Sequence, residues 1–539
     1  MTEQTSGTRN RAKSNSTGGW KRSLAAIGPG IVVSGSVIGS GELINTPVQA
    51  AKFGFVLLWV VLLSCVIKYF LQIEIARHCL VHNRTTVQAL NICPGPRFRG
   101  TSWTALIYML GYFATMLTVI GIIGALGGLM HGIYPLANSV ARSTQIWGSL
   151  MGAAAILVLW QGWYRHLEML VMLLVGCFSI SVFVGVFLIQ GTPFRISAEE
   201  LLSGLKFSLH VDRYQDQVGY AVISLLGALG VAANELFMYP YWILEKGYAR
   251  ELGDSASPGW TDRARHWIRT IWLDAGISTL LATVVTAAFF LLGAAVLYRQ
   301  QIVPEGLEVV DQVSQVYTES FGAWSKWVFV IGAFCTLFST LVVIAAASGR
   351  MWTDLFRSLG FIDVANENAI RRCHQVVQSA WIVGLVAAFL LIKEAPADLI
   401  IAGHFVLGAI MTPLLMFAIC WMAVHTDARV RMGRATAVAL AASVVVILAC
   451  VIANLYEQVQ KLSSESQNAA SRPQATSNAD ADARSLAENA ILVEELSLPI
   501  RGGPYNILPA ESTFFARGPV VPPLTHSKGQ PSCASATRE

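Results

Sequence analysis

The chain has 539 residues, of which 54% are hydrophobic and only 13% are charged. Soluble domains carry about 25% charged residues, so this composition excludes a water-soluble enzyme of this size. The net charge is +5, and the nine cysteines include no CxxC pair, so they indicate neither a zinc site nor a disulfide framework. The apolar residues form blocks of about 20, the length that crosses a hydrocarbon core of ~30 Å. We therefore expect an all-α polytopic membrane protein.

The apolar blocks predict eleven membrane spans. Residues 1–20 are polar and are expected to form a disordered tail. The block that follows is rich in glycine and has no small-residue cleavage pattern after it, so we interpret it as a span and not as a signal peptide. The spans, numbered one to eleven in chain order, are predicted at residues 24–46, 53–76, 103–132, 146–161, 166–190, 218–242, 270–298, 324–349, 376–393, 398–423 and 435–456.

The distribution of basic residues predicts the orientation of these spans. With the N-terminus in the cytoplasm, the N-terminal tail and the cytoplasmic loops hold 22 lysine and arginine residues, and the outer loops between spans hold 8. This difference favours a cytoplasmic N-terminus under the positive-inside rule. An odd number of spans then places residues 457–539 outside, where their Ser, Ala, Asn and Pro content predicts disorder. No targeting segment is visible, so we expect a plasma membrane or bacterial inner membrane location.

Two of the predicted spans carry glycine-rich interruptions at matching places. Span one contains, at residues 35–47, the stretch GSVIGSGELINTP, and span six contains, at residues 227–235, the stretch GALGVAANE. Spans one and six occupy corresponding positions in two repeats of five spans, at about residues 24–190 and 218–423. Discontinuous helices at matching places in two halves are the best sequence indication of a transporter site near the bilayer midplane. The membrane domain, residues 21–456, then consists of the two repeats and an extra helix at 435–456.

Each interruption also carries a carboxylate, Glu42 in span one and Glu235 in span six, with the amide of Asn234 beside the second. An ionisable residue at membrane depth costs about 3 kcal/mol or more, and is therefore a functional candidate by default. The alternative is a glutamate at a helix end that faces a water-filled vestibule. Lys68 in span two is either a snorkelling or salt-bridged lysine or a permanent replacement for a coupling cation.

The sequence resembles the NRAMP family of divalent-metal transporters over roughly residues 24–456. The resemblance rests on motifs in spans one, two, five and seven: Gly28-Pro29-Gly30, Phe53-Gly54 with Leu58-Trp59, Leu71-Gln72 with Glu74 and Ala76-Arg77, Arg165-His166-Leu167-Glu168, and Asp274. It implies a LeuT-like fold of two inverted five-helix repeats. It also implies transport by alternating access, in which spans one and six move with their neighbours against spans three, four, eight and nine.

The sequence departs from the family pattern at the metal site, which makes it a divergent member. The family has Asp-Pro-Gly-Asn in span one, and this chain has glycine at the Asp position, Gly39, and Glu42 at the Asn position. In span six the family's Met-Pro-His is replaced by residues 231–233, Val-Ala-Ala, so the methionine sulfur ligand is lost. In span three, Met116, Thr118 and Val119 stand where the family has acidic residues, and this argues against proton coupling by the family route.

The remaining candidate ligands are oxygen atoms. We expect a metal to be bound by Glu42, Asn234 and Glu235 with backbone carbonyls near Gly39 and Gly230. Oxygen ligands suit hard ions, so Mg²⁺ is favoured and Mn²⁺ remains an alternative. His404 in span ten is either a further ligand or a packing histidine bonded to a carbonyl. The predicted partners are this metal ion and the lipid bilayer, and no cofactor or protein partner is indicated.

Other functions fit the sequence less well. The stretch at residues 37–41 also resembles the first span of amino acid–polyamine–organocation transporters, where freed amides hold a substrate carboxylate, but Glu42 would repel such a group. A sensor that has kept a transporter-like body would need a signalling domain, and the tail is short and plain. The spans contain no nucleophile–base pair or metal-hydrolase motif, so no enzyme is predicted. The basic residues lie at membrane edges, so nucleic-acid binding is not predicted either.

Overall fold

The computed structural model describes residues 39–161, 164–230, 233–307, 309–362, 367–392 and 395–471, and it is almost entirely helical. Within these ranges, nine helices are long and apolar enough to cross a membrane. They match predicted spans two to five and seven to eleven, at Leu58–His82, Trp103–Ile133, Val140–Gln161, Tyr164–Leu188, Trp260–Gly293, Ser325–Ser358, Glu367–Leu391, Pro396–His425 and Arg434–Ser471.

Spans one and six are the two predicted spans that are not among these nine helices, and residues 24–38 of span one and 231–232 of span six lie outside the described residues. The described part of span six contains a helix at its predicted outer end, Val218–Leu225, a π turn, Leu226–Gly230, and a helix at its predicted inner end, Ala233–Glu245, called the outer and inner helices below. Span one is described from Gly39 onward, as a π turn at Gly41–Asn45 followed by the helix Thr46–Phe53. The interruption predicted for span six from its glycines thus coincides with a change of helix type.

Further turns and short elements complete the fold. Among the described residues, a further π turn, Ala294–Tyr298, ends span seven, and another, Leu407–Met411, lies inside span ten. A 3-10 turn, Tyr112–Ala114, interrupts span three. The connections between spans contain the helices Thr86–Leu90, Ala198–Ser203, Tyr248–Leu252 and Val309–Phe321, the 3-10 turns Ile189–Gly191, Gln215–Gln217 and Ala428–Val430, and an antiparallel pair of strands, Arg97–Phe98 and Thr101–Ser102.

Spans six and ten cross with their backbones in contact, because glycine occupies both sides of the crossing. A Cβ atom placed on Gly227 would lie 1.9 Å from the carbonyl oxygen of His404, and one placed on Gly408 would lie 2.2 Å from the carbonyl oxygen of Ile223. No side chain larger than hydrogen fits at either position. Such close approach through small residues is typical of helix packing in membranes, and here it brings the π turn of span six beside span ten.

A buried ion pair anchors the predicted inner end of span two. Arg77 donates to Glu74 at 2.6 Å, and both side chains are almost completely buried. The same guanidinium donates to the backbone carbonyl of Val430 at 2.8 Å, in the loop between spans ten and eleven. Because a buried charge is tolerated only when it is paired, this pair fixes span two to that loop. The motif that supported the family resemblance therefore has a structural role.

The last helix differs from its predicted bounds. It runs from Arg434 to Ser471 without interruption, whereas the sequence placed the end of the span at 456 and a disordered tail from 457. Residues 457–471 are polar but rich in Glu, Gln, Lys and Ala, which are good helix formers. Hydropathy therefore predicts where the apolar part of the helix ends but not where the helix itself ends. Residues 1–38 and 472–539, including the predicted disordered N-terminal tail, lie outside the described residues.

Candidate functional site

The π turns of spans one and six lie against each other. A Cβ atom on Gly41 would be 3.4 Å from the Cβ of Ala228, which is ordinary van der Waals contact. Residues 41–45 and 226–230, which form the two turns, are all buried. A π turn interrupts the regular backbone hydrogen bonding of a helix and is frequent at functional sites. The two predicted interruptions thus form one buried region of irregular backbone.

Glu42 lies in this region with only 4% of its surface exposed. Its Oε2 atom accepts a hydrogen bond of 2.8 Å from the backbone N–H of Gly39. The carbonyl of Gly39 accepts the N–H of Leu43 at 3.0 Å, so one of its two lone pairs is already used. The first described turn of span one therefore holds a carboxylate at the interruption, close to the positive end of the helix that follows.

A chain of buried polar side chains begins one turn after Glu42. The amide nitrogen of Asn45 donates to the hydroxyl of Ser224 at 3.0 Å and lies 3.3 Å from Nδ1 of His404. The amide oxygen of Asn45 accepts from Gln49 at 3.0 Å, and Ser224 donates to the carbonyl of Ile401 at 3.2 Å. This network, Asn45, Gln49, Ser224 and His404, connects spans one, six and ten where the three spans meet.

The network determines which ring nitrogen of His404 carries the proton. Because the Asn45 amide donates toward Nδ1, that nitrogen acts as an acceptor, and a neutral ring then has its proton on Nε2. The sequence left two interpretations open for this residue, a ligand or a histidine bonded to a carbonyl. The structure places its Nδ1 beside a side-chain amide of span one.

The predicted site residues of spans two and six are described only in part. Gly230 ends the π turn of span six, and a Cβ on it would be 3.3 Å from the carbonyl oxygen of Ser64. Lys68 is buried and follows Ser64 by one helical turn on the same face of span two. The backbone of Asn234 and Glu235 lies in the first turn of Ala233–Glu245, and their side chains lie outside the described part of the chain.

A cavity of about 190 Å³ lies at the predicted outer end of the site. Its lining comes from the end of span one and the beginnings of spans six and ten, and includes Gln49, Lys52, Tyr220, Asp398 and Ile401. Gln49 lines this cavity and also donates to Asn45, so it connects the cavity to the buried network. The cavity therefore lies beside the buried network on its predicted outer side.

The inner helix of span six makes polar and aromatic contacts with two other spans. Tyr241 donates to Asp354 of span eight at 2.7 Å, and Glu245 pairs with Arg350 of the same span at 2.8 Å. The ring of Phe237 stacks on Tyr108 of span three, with centroids 3.9 Å apart. These contacts hold the inner helix of span six against spans three and eight.

Comparison with known proteins identifies the family of this fold. The family model described as natural resistance-associated macrophage protein-like, Nramp, matches residues 30–458, which is most of the chain. The chain belongs to the Nramp family. The resemblance stated from the sequence is thereby confirmed.

Curated relatives of this Nramp protein are distant but cover most of its length. A protein named divalent metal cation transporter MntH from Brucella suis is 24% identical over 441 residues, which is 80% of this chain and 88% of the relative. A protein of the same name from Bradyrhizobium diazoefficiens is also 24% identical, over 438 residues.

Solved structures confirm the fold. The manganese transporter of Eremococcus coleocola, in a crystal structure with an aromatic bis-isothiourea compound, aligns with a TM-score of 0.54. The alignment covers 89% of this chain and 94% of that one at 15% identity. The Nramp protein thus has the expected all-α, LeuT-like membrane fold.

The described acidic, histidine and cysteine side chains of this Nramp protein do not form a metal cluster by themselves. Over residues 39–471, apart from the gaps given above, no group of three or more such side chains is placed to hold a metal ion. A metal at the π turns would therefore combine Glu42 with amide, hydroxyl or carbonyl oxygens, or with side chains of the undescribed part. It would keep several water molecules, as Mg²⁺ commonly does.

Sequence reasoning missed three members of the buried network, Asn45, Gln49 and Ser224. A signal was present for two of them, since Asn45 lies in predicted span one and Gln49 follows it by four residues, so a helix that continued past residue 46 would place both on one face. Polar residues within membrane spans usually face the protein interior. No comparable signal marks Ser224, because a single serine in an apolar helix is common.

Proposed function

We propose that this Nramp protein transports a divalent metal cation across the plasma membrane or a bacterial inner membrane. The observation that carries the proposal is the buried carboxylate of Glu42 at the point where the π turns of spans one and six meet. A buried carboxylate beside irregular backbone provides both negative charge and oxygen atoms for a cation. The names of its curated relatives, divalent metal cation transporters, agree with this assignment.

The proposed ligands keep the roles predicted from the sequence. Glu42 supplies charge, Asn234 a neutral oxygen, and Glu235 either a further ligand or a charge in the inner vestibule. The carbonyls of Gly39 and Gly230 are within the two interruptions, and the Gly39 carbonyl has one lone pair left after its bond with Leu43. We assign His404 an accessory role, because its Nδ1 is occupied by Asn45.

We infer that the transported ion is a hard one. The proposed ligands are oxygen atoms, and the thioether that typifies the family is replaced by the Val-Ala-Ala of residues 231–233. Oxygen ligands that leave several waters on the ion suit Mg²⁺, and they also accept Mn²⁺. The Eremococcus coleocola protein with this fold is named a manganese transporter. Mg²⁺ is the proposed ion, and Mn²⁺ is the alternative that the uptake experiment must separate.

Alternating access is the proposed mechanism, with the N-terminus inside and the C-terminus outside. Its support is the asymmetry between the two ends of span six. The outer end borders a cavity of about 190 Å³, whereas the inner helix is hydrogen-bonded to span eight through Tyr241 and Asp354. Release to the inside would require this inner helix to separate from span eight. Lys68, buried on the face of span two that touches span six, would then supply a fixed positive charge near the site.

The experiment that tests the proposal is uptake into proteoliposomes. Mg²⁺, Mn²⁺, Ca²⁺ and a panel of labelled amino acids are compared for the wild-type protein, Glu42→Gln and the control Glu199→Gln, which neutralises an exposed carboxylate in the connection between spans five and six. We expect Mg²⁺ uptake that falls at least ten-fold in Glu42→Gln and is unchanged in the control.

Three other results would contradict parts of the proposal. Mn²⁺ uptake without Mg²⁺ uptake would show that the transported ion is Mn²⁺ and not Mg²⁺. Metal uptake that is unchanged in Glu42→Gln would show that the Glu42 carboxylate is not a ligand of the transported metal. Amino-acid uptake without metal uptake would favour the amino acid–polyamine–organocation alternative, although the amide that could hold a substrate carboxylate, that of Gly39, already bonds to Glu42.

A further inference from the structure

A second cavity, of about 260 Å³, lies at the opposite end of the molecule from the outer cavity. It is formed by the start of span seven and the loop between spans ten and eleven. Its lining includes the arginines Arg265, Arg269, Arg429 and Arg431 and the apolar side chains of Trp272 and Met432. The positive-inside count places this end in the cytoplasm. We call this feature the arginine pocket.

Two of the guanidinium groups at the pocket are already neutralised. Arg77 pairs with Glu74 at 2.6 Å. Arg429 pairs with Asp427 at 2.7 Å, and its hydrogen bonds lower the pKa of the Asp427 carboxyl to about 2. Asp427 therefore stays ionised at any physiological pH and offsets the charge of Arg429.

The other three arginines of the pocket have no such compensation. The side chains of Arg265, Arg269 and Arg431 are exposed, and with the described residues of the chain they make no hydrogen bond or ion pair. Three uncompensated cations around one cavity would repel one another in the absence of an anion. Arginine is also the side chain best suited to phosphate, because its planar guanidinium can donate two parallel hydrogen bonds.

The length of span seven places two of these arginines, Arg265 and Arg269, at the level of lipid headgroups. The helix Trp260–Gly293 has 34 residues, and its length of roughly 51 Å exceeds the ~30 Å hydrocarbon core. Its first turns therefore extend beyond the hydrocarbon. Arg265 and Arg269 are four residues apart and so lie on one face of this extension.

The same helix face continues into the membrane as an apolar surface. The residues that follow at helical spacing are Leu273, Ile277 and Leu280, and their side chains are 55%, 39% and 65% exposed. The face thus changes from guanidinium groups to aliphatic side chains along one line. A free phosphate would use only the first part of this surface, whereas a phospholipid would use both parts.

We propose that the arginine pocket binds the phosphate headgroup of an anionic phospholipid, with the acyl chains along the exposed face of span seven. Basic pockets between membrane helices on the cytoplasmic side are suited to such headgroups. The lipid would bridge span seven and the loop between spans ten and eleven. This site is separate from the proposed metal site and does not depend on it.

The test uses the purified full-length protein and native mass spectrometry. The probes are dioctanoyl phosphatidylglycerol, dioctanoyl phosphatidylcholine and inorganic phosphate. The test variant combines Arg265→Gln, Arg269→Gln and Arg431→Gln. The matched control combines Arg250→Gln, Arg371→Gln and Arg372→Gln, which removes the same charge from exposed arginines on the same predicted side but outside the pocket.

We expect the wild type and the control to bind phosphatidylglycerol and not phosphatidylcholine. Each arginine near an anionic lipid contributes about a five-fold change in affinity, so the triple variant should lose about 100-fold and the single variant Arg269→Gln about five-fold. The single variant keeps the test valid if the triple variant is poorly folded.

Other outcomes would overturn the proposal. Equal losses in the triple variant and its control would mean that affinity follows overall charge and not the pocket. Equal binding of phosphatidylcholine would remove the role of the anionic headgroup. Inorganic phosphate that binds as tightly as phosphatidylglycerol, and competes with it, would reassign the pocket to a soluble anion.

Discussion

At the scale of single residues, the buried network around Asn45 is the feature that most clearly depends on side-chain identity. The Asn45 amide uses its nitrogen toward Ser224 and His404 and its oxygen toward Gln49. Asparagine satisfies all of these partners because it carries two donors and an acceptor on one group. Aspartate at this position would lack the donors, and leucine would lack all of the hydrogen-bonding atoms.

Asn45→Ala is expected to destabilise the protein by about 1–3 kcal/mol, because Gln49, Ser224 and His404 would lose a buried partner at once. Thermal unfolding of the purified protein in detergent measures this as a lower midpoint temperature. Asn138→Ala, at an exposed position between spans three and four, is the matched control and should leave the midpoint unchanged. An equal midpoint for both variants would show that the network adds no stability.

At the scale of helices, the inner helix of span six is the element whose contacts distinguish the two ends of the protein. Its tyrosines bond to carboxylates of two different spans: Tyr239 donates to Asp274 of span seven at 2.8 Å, and Tyr241 donates to Asp354 of span eight at 2.7 Å. In the proposed mechanism spans six and seven move together and span eight remains fixed. The Tyr241 bond then has to break in each transport cycle, whereas the Tyr239 bond does not.

Tyr241→Phe should therefore favour opening of the inner end. Cys79 in span two is completely buried near this end, so its rate of modification by a maleimide reports the opening. We expect a several-fold faster rate in Tyr241→Phe, measured at Cys79 by mass spectrometry of its peptide after digestion, because other cysteines such as the exposed Cys177 can also react. Tyr317→Phe removes a comparable tyrosine hydrogen bond, to Ser181 at 2.8 Å, and should not change the rate. An unchanged rate in Tyr241→Phe would mean that this bond does not close the inner end.

At the scale of the whole molecule, the orientation of the spans is a consequence of charge that can be tested directly. Cys533 lies in the C-terminal tail, which the odd number of spans places outside. A membrane-impermeant maleimide added to intact spheroplasts should label Cys533, whereas Cys373, near the predicted inner end of span nine, should be labelled only after permeabilisation. Cys533→Ser identifies the signal. Labelling of Cys373 but not Cys533 in intact spheroplasts would invert the proposed topology.

The sequence predicted the spans well because hydropathy is a local property of about 20 consecutive residues. Nine predicted spans correspond to helices among the described residues that are long and apolar enough to cross a membrane, and Gly227 and Gly230, which predicted the interruption of span six, lie in its π turn. The predicted end of the last helix was wrong, because a helix that leaves the hydrocarbon can continue as long as its residues favour helix formation.

The candidate site was predicted less completely because its contacts are not local. Asn45 and Ser224 are 179 residues apart in the chain, and Asn45 and His404 are 359 residues apart. No pattern within one span indicates which residue of another span it faces. Glu42 could be selected from its own cost of burial, whereas Ser224 is recognised only from its neighbours. The roles of Glu42, Asn234 and Glu235 as ligands remain predictions.

The crossing of Gly227 and Gly408 has a mechanical consequence. Most helix contacts interlock through side chains, which must change rotamer when one helix turns on another. Here the neighbouring surfaces are mostly backbone atoms, with the carbonyl groups of His404 and Ile223 and one side-chain methyl of Ile223 beside the glycines. Few side chains therefore need to repack at this point if the crossing angle of spans six and ten changes. We expect the crossing to act as a pivot in transport, and a methyl group added to either glycine to prevent the close approach of the two backbones.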